Sequence, residues 1–164
     1  MKKILLILLI TLELFAAPSV EDKAVSFTLP NLYNLKHSTS TQSLKGKVVL
    51  LNLWASWCSG CKEEMPKFVA LQKEFSKDKF QIVLSSIDSD PSNAIEFLED
   101  VDKEKLLTAL YDADKKLPKA YRCIAMPSSF LISKEGKIIK IYVGSLDDTK
   151  IEELKKSVIK LIGK

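Results

Sequence analysis

The spacing of apolar residues changes several times along the chain, and each spacing predicts a different element. Between residues 25 and 29 apolar and polar positions alternate, which predicts a short strand that ends at Pro30. A second short strand is predicted near residues 35–38. The run VVLLNLWA at 48–55 is almost continuously apolar and contains β-branched residues. Such a run is typical of a central strand that is buried on both faces.

The spacing becomes helical from about Ser59. Apolar positions then recur at steps of three and four residues, which is typical of a helix with one buried face. They include Met65, Phe68, Leu71 and Phe75. Pro66 lies within this apolar stripe, so a kink is expected near residues 62–64.

Strand-like and helix-like segments alternate in the second half of the chain. Strands are predicted at 81–87, 106–111, 128–133 and 137–143, and helices at 90–102 and 115–121. Ser145 and Asp148 resemble a capping box for a last helix with an apolar inner face. This order predicts an α/β fold, with a central mixed β-sheet flanked by helices on both faces.

The N-terminal residues differ from the rest of the chain. Two lysines precede an apolar run at 4–15 that only Glu13 interrupts, and two alanines follow it. Residues 1–17 are therefore predicted to be a secretory signal peptide. If uncleaved, they would act as a membrane tether, although the run is shorter than the roughly 20 residues that span a bilayer. Residues 18–24 form a polar lead-in, and one domain is predicted over 25–164.

Composition and charge narrow the class of protein. With 164 residues, 46% of them hydrophobic and 28% charged, the chain suits one globular domain. The net charge is +4, but lysines and acids are interleaved and no basic stripe carries aromatic residues, so nucleic-acid binding is not predicted. The chain has only three cysteines, Cys58, Cys61 and Cys123, and an odd number in a chain of this size does not indicate a disulfide framework. We therefore expect the thiols to have a chemical role, in an exported protein whose disulfides persist.

The pair Cys58 and Cys61 falls where the buried strand gives way to the helix. Unpaired N–H groups and the dipole at a helix start favour a thiolate at Cys58, and Cys61 lies one turn deeper on the same side. This spacing predicts thiol–disulfide exchange. Two other interpretations remain: a structural disulfide, which would constrain little of the chain, and half of a zinc site, for which only His37 and Cys123 remain as nitrogen or sulfur ligands. Trp57 and Trp54 are expected to screen the thiols and offer a flat apolar surface, with core packing as the alternative for Trp54.

Two segments carry a resemblance to a known family. WASWCSGCKEEMP resembles the active-site segment of thioredoxin-like proteins, and it is most similar to the exported TlpA/ResA branch, which includes cytochrome c maturation reductases. YRCIAMPSSFLISKEGKI, some 66 residues later, matches the same branch. The resemblance covers residues 25–162. It implies a thioredoxin-like fold with an extra N-terminal β-hairpin and a central insertion.

The resemblance also implies roles for individual residues. Pro127 matches a cis-proline that faces the disulfide, and the backbone of Met126 would pair with an extended substrate. Glu64 matches an acid of the reductase branch, which would hold or relay the proton of Cys61 with a raised pKa; surface solvation is the alternative. Asn52 stands where cytoplasmic thioredoxins carry a buried aspartate, which makes Glu64 the expected proton carrier. Cys123 falls at an apolar position of the family pattern and is predicted to be a small buried core residue, with a third redox thiol as the alternative.

The predicted function is that of an exported thiol–disulfide oxidoreductase, located in the periplasm or on the outer face of the membrane. It would reduce exported client proteins such as apocytochrome c and be recharged by a membrane donor, with no cofactor besides the Cys58–Cys61 disulfide. Catalysis is assigned to Cys58, Cys61 and Glu64, and substrate binding to Trp57, Met126 and Pro127. A disulfide-forming oxidant and a copper-delivery module on the same fold are the alternatives.

Overall fold

The computed structural model describes residues 17–163. Apart from Ala17, the predicted signal peptide or tether lies outside the described residues. The strands are β1 Thr28–Asn31, β2 Asn34–Ser40, β3 Val48–Trp54, β4 Phe80–Ser86, β5 Thr108–Tyr111, β6 Ser128–Ile132 and β7 Ile138–Val143. The helices are α1 Ser59–Lys73, α2 Pro91–Val101, α3 Lys116–Ala120 and α4 Asp148–Ile162, and Thr41–Leu44 forms a 3-10 turn. Each predicted element is present, and α1 continues through Pro66.

All seven strands form one mixed sheet in the order β2-β1-β5-β4-β3-β6-β7. β3, β4 and β5 are parallel, whereas β6 pairs antiparallel with β3, and β7 antiparallel with β6. The β1–β2 hairpin joins the sheet next to β5. α2 and β5 lie between β4 and α3 along the chain. This architecture confirms the predicted mixed α/β sheet, with the N-terminal hairpin and the central insertion.

β3 lies in the interior of the sheet, and all seven of its residues are buried. One face of the sheet packs against α1, α2 and α4 through a cluster that includes Trp54, Phe68 and Leu154. The other face packs against α3 through a cluster that includes Leu117 and Tyr121. Helices therefore cover both faces, as predicted. Because β3 pairs with a strand on each side, the position of the loop that follows it is well determined.

The predicted end of the first strand is wrong, because Pro30 lies inside β1. The register of β1 against β2 shifts between Pro30 and Asn31, and β1 pairs with β5 only at Asn31. Proline cannot donate a ladder hydrogen bond, and it is tolerated at such an irregularity. The apolar positions of the predicted alternation still face the core: Leu29 is buried, and Val25 and Phe27 pack partly against it.

The predicted capping box of the last helix is also wrong. The N-cap of α4 is Asp147, whose carboxylate accepts a hydrogen bond from the backbone N–H three residues later at 2.9 Å. The backbone N–H of Leu146 donates to the Glu64 carboxylate at 2.9 Å. Leu146, just before Asp147, is thus bound to α1, and α4 begins after Asp147 rather than after Ser145.

The lead-in at 18–24 is attached to the beginning of β7. Glu21 N–H donates to Ile138 O at 2.8 Å, and Ala24 N–H donates to Gly136 O at 2.9 Å. Between residues 17 and 163, none of the helices combines the length and the apolar character that crossing a membrane requires.

Candidate active site

The two thiols of CSGC lie at the start of α1, directly after the central strand, as predicted. Cys58 is the N-cap of α1, and Cys61 N–H donates to Cys58 Sγ at 3.3 Å. The two sulfurs form a disulfide, with Cα atoms 5.3 Å apart. Unpaired N–H groups and the helix dipole favour a negative charge at this position. In the reduced protein a Cys58 thiolate is therefore stabilised, whereas Cys61 is fully buried and shielded from solvent.

A groove of about 610 Å³ runs beside Cys58. The exposed side chains of Trp57 and Ile124 border it, with exposed fractions of 66% and 91%. None of the described residues that line the groove carries a charged side chain. Exposed apolar side chains grouped in this way are typical of sites that bind other molecules, so the groove suits an apolar segment of a partner.

The Met126–Pro127 peptide bond is cis, as the resemblance implies, and Pro127 packs against the first turn of α1. A Cβ atom placed on Gly60 would lie 3.4 Å from Pro127 Cδ. Met126 precedes β6, and within residues 17–163 its backbone N–H and C=O form no hydrogen bond. An extended peptide can pair with such free backbone groups as an added strand.

Glu64 lies one helical turn beyond Cys61 and is completely buried, which excludes surface solvation. Its Oε1 accepts from Asn52 Nδ2 at 2.8 Å, and its Oε2 accepts from Leu146 N–H at 2.9 Å. Burial disfavours the charged carboxylate and raises the pKa of Glu64 to about 7; the two hydrogen bonds and nearby lysines only partly oppose this. A group with this pKa gives and takes protons near neutral pH, as general acid–base chemistry requires.

Asn52 links Glu64 to the sheet. It lies within β3, and its Nδ2 also donates to Ser129 Oγ on β6 at 2.9 Å. In the part of the chain that the structure describes, Asn52 Oδ1 has no hydrogen-bond partner. The Asn52 amide carries no ionisable group, so Glu64 is the acid of this buried cluster.

The two tryptophans have different roles in the structure. Trp57 is exposed next to Cys58 and presents its indole to the groove. Trp54 is fully buried, and its ring centroid lies 5.7 Å from that of Phe97. Trp54 is therefore a core residue, which was the alternative interpretation, because it is the last residue of a strand that is buried throughout.

Asp88 and Ser56 join the site although no motif points to them. Asp88 lies two residues after the end of β4 and is only 1% exposed. Its carboxylate accepts from Ser56 N–H at 3.0 Å, from Ser56 Oγ at 2.6 Å and from Ser86 Oγ at 2.8 Å. These bonds fix the loop between β3 and α1 to the end of β4. The signal available in the sequence is an acid placed two residues after a buried strand.

Cys123 is less buried than predicted. It packs partly against the core cluster around Tyr121, but it also lines the groove beside Cys58. Burial raises the pKa of the Cys123 thiol. Over residues 17–163, His, Cys, Asp and Glu side chains form no group of three or more that could hold a metal ion.

The sheet order and a CxxC disulfide at the N-terminus of α1, whose first turn packs against a cis-proline, define a thioredoxin-like thiol–disulfide oxidoreductase. A family model described as Redoxin matches residues 19–158. The chain belongs to the Redoxin family.

Several known proteins are similar to this chain. It is 31% identical over 131 residues to the thioredoxin-like protein YneN of Bacillus subtilis, covering 80% of this chain and 75% of YneN. It is 30% identical over 110 residues to the thiol-disulfide oxidoreductase ResA of Bacillus subtilis, covering 67% of this chain and 60% of ResA. A crystal structure from Chlorobium tepidum, assigned as a thiol:disulfide interchange protein DsbE, superimposes with a TM-score of 0.80 at 30% identity and covers 90% of this chain and 100% of its own. Together with the Cys58–Cys61 pair, these similarities establish thiol–disulfide exchange as the activity.

Proposed function

We propose that the protein is exported and reduces disulfides in exported client proteins, with apocytochrome c before haem attachment as the first client to test. A membrane thiol–disulfide donor would return the Cys58–Cys61 disulfide to the dithiol. The N-terminal apolar segment, the resemblance to the TlpA/ResA branch and the similarity to ResA support this proposal. The redox-active disulfide is the only redox group that the reaction requires.

The reaction proceeds through a mixed disulfide. The Cys58 thiolate attacks one sulfur of the client disulfide, and the other client sulfur leaves as a thiolate that takes up a proton. Cys61 then loses its proton and attacks Cys58 Sγ, which breaks the mixed disulfide and releases the second client thiol. The client gains two electrons and two protons, and Cys58 and Cys61 are oxidised to the disulfide.

Glu64 accepts the proton of Cys61 in the second step, because it is buried one turn away and titrates near neutral pH. The client segment lies in the groove against Trp57, and Pro127 contributes to binding from its position beside Gly60, which lines the groove. The free backbone groups of Met126 pair with this segment and align its disulfide with Cys58.

The position of Cys58 at the N-cap of α1, with Cys61 buried directly beneath it, is the observation that carries this proposal. Replacing the resolving thiol tests it. Cys61→Ser should accumulate a mixed disulfide between Cys58 and clients, which non-reducing gels and mass spectrometry of the exported fraction would detect. The double variant Cys58→Ser, Cys61→Ser should trap nothing. Absence of any mixed disulfide on Cys61→Ser would overturn the exchange mechanism.

The direction of electron flow is tested by equilibrating the protein with glutathione. A reductase should have a reduction potential near that of thioredoxin, about −270 mV, whereas a disulfide-forming oxidant should lie near −120 mV. A value close to the second figure would contradict the reductase proposal and leave the exchange chemistry intact.

A further inference from the structure

A buried acid that takes no part in the exchange steps lies beneath the loop that carries the attacking thiol. Asp88 accepts two hydrogen bonds from Ser56, one from its backbone N–H and one from its hydroxyl. Ser56 precedes Cys58 by two residues, so their Cα atoms are at most about 7.6 Å apart. Cys58 N–H donates to Ala55 O at 3.1 Å and closes a tight turn there. Added to the 3.0 Å hydrogen bond between Ser56 N–H and the carboxylate, these lengths place the carboxylate within roughly 15 Å of the Cys58 sulfur.

Few other charges lie around Cys58. Cys123 is the only other titratable residue among the described residues that line the groove. On α1, Glu64 lies deeper, beyond Cys61, and its carboxylate is bound by Asn52 and Leu146, while Lys62 is exposed. From β4, the charged group that faces the loop is Asp88 itself. Cys58 therefore lies at the positive end of the α1 dipole, and the loop that precedes it is bound to the buried Asp88 carboxylate.

We propose that Asp88 is a positioning residue that holds the Cys58 loop and, through its charge, keeps the reduction potential of the Cys58–Cys61 disulfide low. A negative charge near Cys58 opposes the thiolate and so destabilises the reduced form. Stabilising a reduced form makes a disulfide a stronger oxidant, so destabilising it has the opposite effect. The inference rests on the proposed role of Cys58 as the attacking thiol, and it explains how a helix N-terminus that favours thiolate is compatible with a reductase.

Asp88→Asn removes the charge and keeps an oxygen that can accept from Ser56. At pH 7 we expect the equilibrium constant for reduction of the disulfide by glutathione to rise about three- to tenfold, and a tenfold change corresponds to about 30 mV. The pKa of Cys58, measured from its alkylation rate, should fall. Asp102→Asn is the matched control, because Asp102 is also buried, accepts two backbone N–H bonds, and lies before β5 at the opposite end of the sheet. For Asp102→Asn, the equilibrium constant for reduction of the disulfide by glutathione should stay within about twofold of the wild-type value.

Ser56→Ala separates the effect of charge from that of loop geometry, since it removes one hydrogen bond and keeps the carboxylate. We expect its equilibrium constant to stay within about twofold of the wild type. A rise in Ser56→Ala as large as that in Asp88→Asn would assign the effect to loop geometry and overturn the proposal, as would an Asp88→Asn value equal to that of Asp102→Asn. Asp88→Ser is a second variant without the charge, should Asp88→Asn not fold. The potential is measured without any client, so client trapping by Cys61→Ser tests the proposed function separately.

Discussion

At the scale of single residues, Glu64 couples the proton chemistry of the site to the stability of the fold. Its carboxyl is completely buried, and its pKa is raised from 4.5 to about 7. The native state therefore holds this proton more tightly than the unfolded chain does. Between these two pKa values the native state binds more protons than the unfolded chain. The contribution of Glu64 to stability therefore falls as the pH rises through this window, and it levels off above the pKa of the folded state.

Glu64→Gln should remove this pH dependence. We expect the free energy of unfolding of the wild type, relative to that of the variant, to fall by about 2 to 3 kcal/mol between pH 5 and pH 8. Urea unfolding at half-unit pH intervals would measure it. Glu63→Gln is the control on the neighbouring, exposed position, and it should keep the wild-type slope. Equal slopes for the wild type and Glu64→Gln would show that Glu64 does not titrate in this range.

The sequence indicates only part of the site at this scale. Cys58 and Cys61 are found from their spacing at a strand-to-helix junction, and Glu64 and Pro127 from a family motif. Asp88 is not found, because its partner Ser56 is distant in sequence and meets it only where two strands end. The donor on Leu146 is a backbone N–H, which any residue supplies, so no residue type indicates it.

At the scale of elements, the position at which α4 starts is set by a contact with the active-site helix α1. The N–H of Leu146 is bound to Glu64, and the helix begins only with the Asp147 cap. Apolar spacing predicts the body of α4 correctly, since Leu154 and Val158 are fully buried. It does not predict which of several capping residues is used, because that depends on a contact with α1 far away in the sequence. Pro30 in β1 is a similar case, since its tolerance depends on the pairing of neighbouring strands.

Substitutions at the two candidate caps distinguish them. Asp147→Ala should reduce the free energy of unfolding by about 1 kcal/mol, because it leaves an N–H of the first turn unpaired. Ser145→Ala should change the free energy of unfolding by only a few tenths of a kcal/mol, since the side chain of Ser145 faces Gly60 rather than the helix end. Asp147→Asn is the conservative control and should retain most of the stability. If urea unfolding showed a larger loss of stability for Ser145→Ala than for Asp147→Ala, Ser145 rather than Asp147 would be the cap of α4.

At the scale of the whole molecule, the site is formed where three parallel strands end. Cys58 follows β3, Asp88 follows β4 and Asp112 follows β5. Asp112 accepts from the N–H groups of Lys116 and Leu117 at 2.9 and 2.8 Å, and so fixes α3, which borders the groove. Carboxyl ends of parallel strands lie at one edge of a sheet, which is where open α/β sheets bind ligands. The alternation of strands and helices predicts the mixed sheet, whereas the convergence of these three strand ends and the individual contacts follow from the three-dimensional packing.

Because the disulfide belongs to this packed edge, its reduction potential and the stability of the whole fold are linked. A thermodynamic cycle relates the two: for each 30 mV by which the potential of the native protein lies below that of the unfolded chain, the oxidised protein is about 1.4 kcal/mol more stable than the reduced one. A reductase should therefore unfold at a higher urea concentration when oxidised than when reduced, and a disulfide-forming oxidant should do the opposite. Paired urea titrations with and without dithiothreitol measure the difference. The double variant Cys58→Ser, Cys61→Ser should show none, and a reduced wild type more stable than the oxidised one would contradict a reductase role.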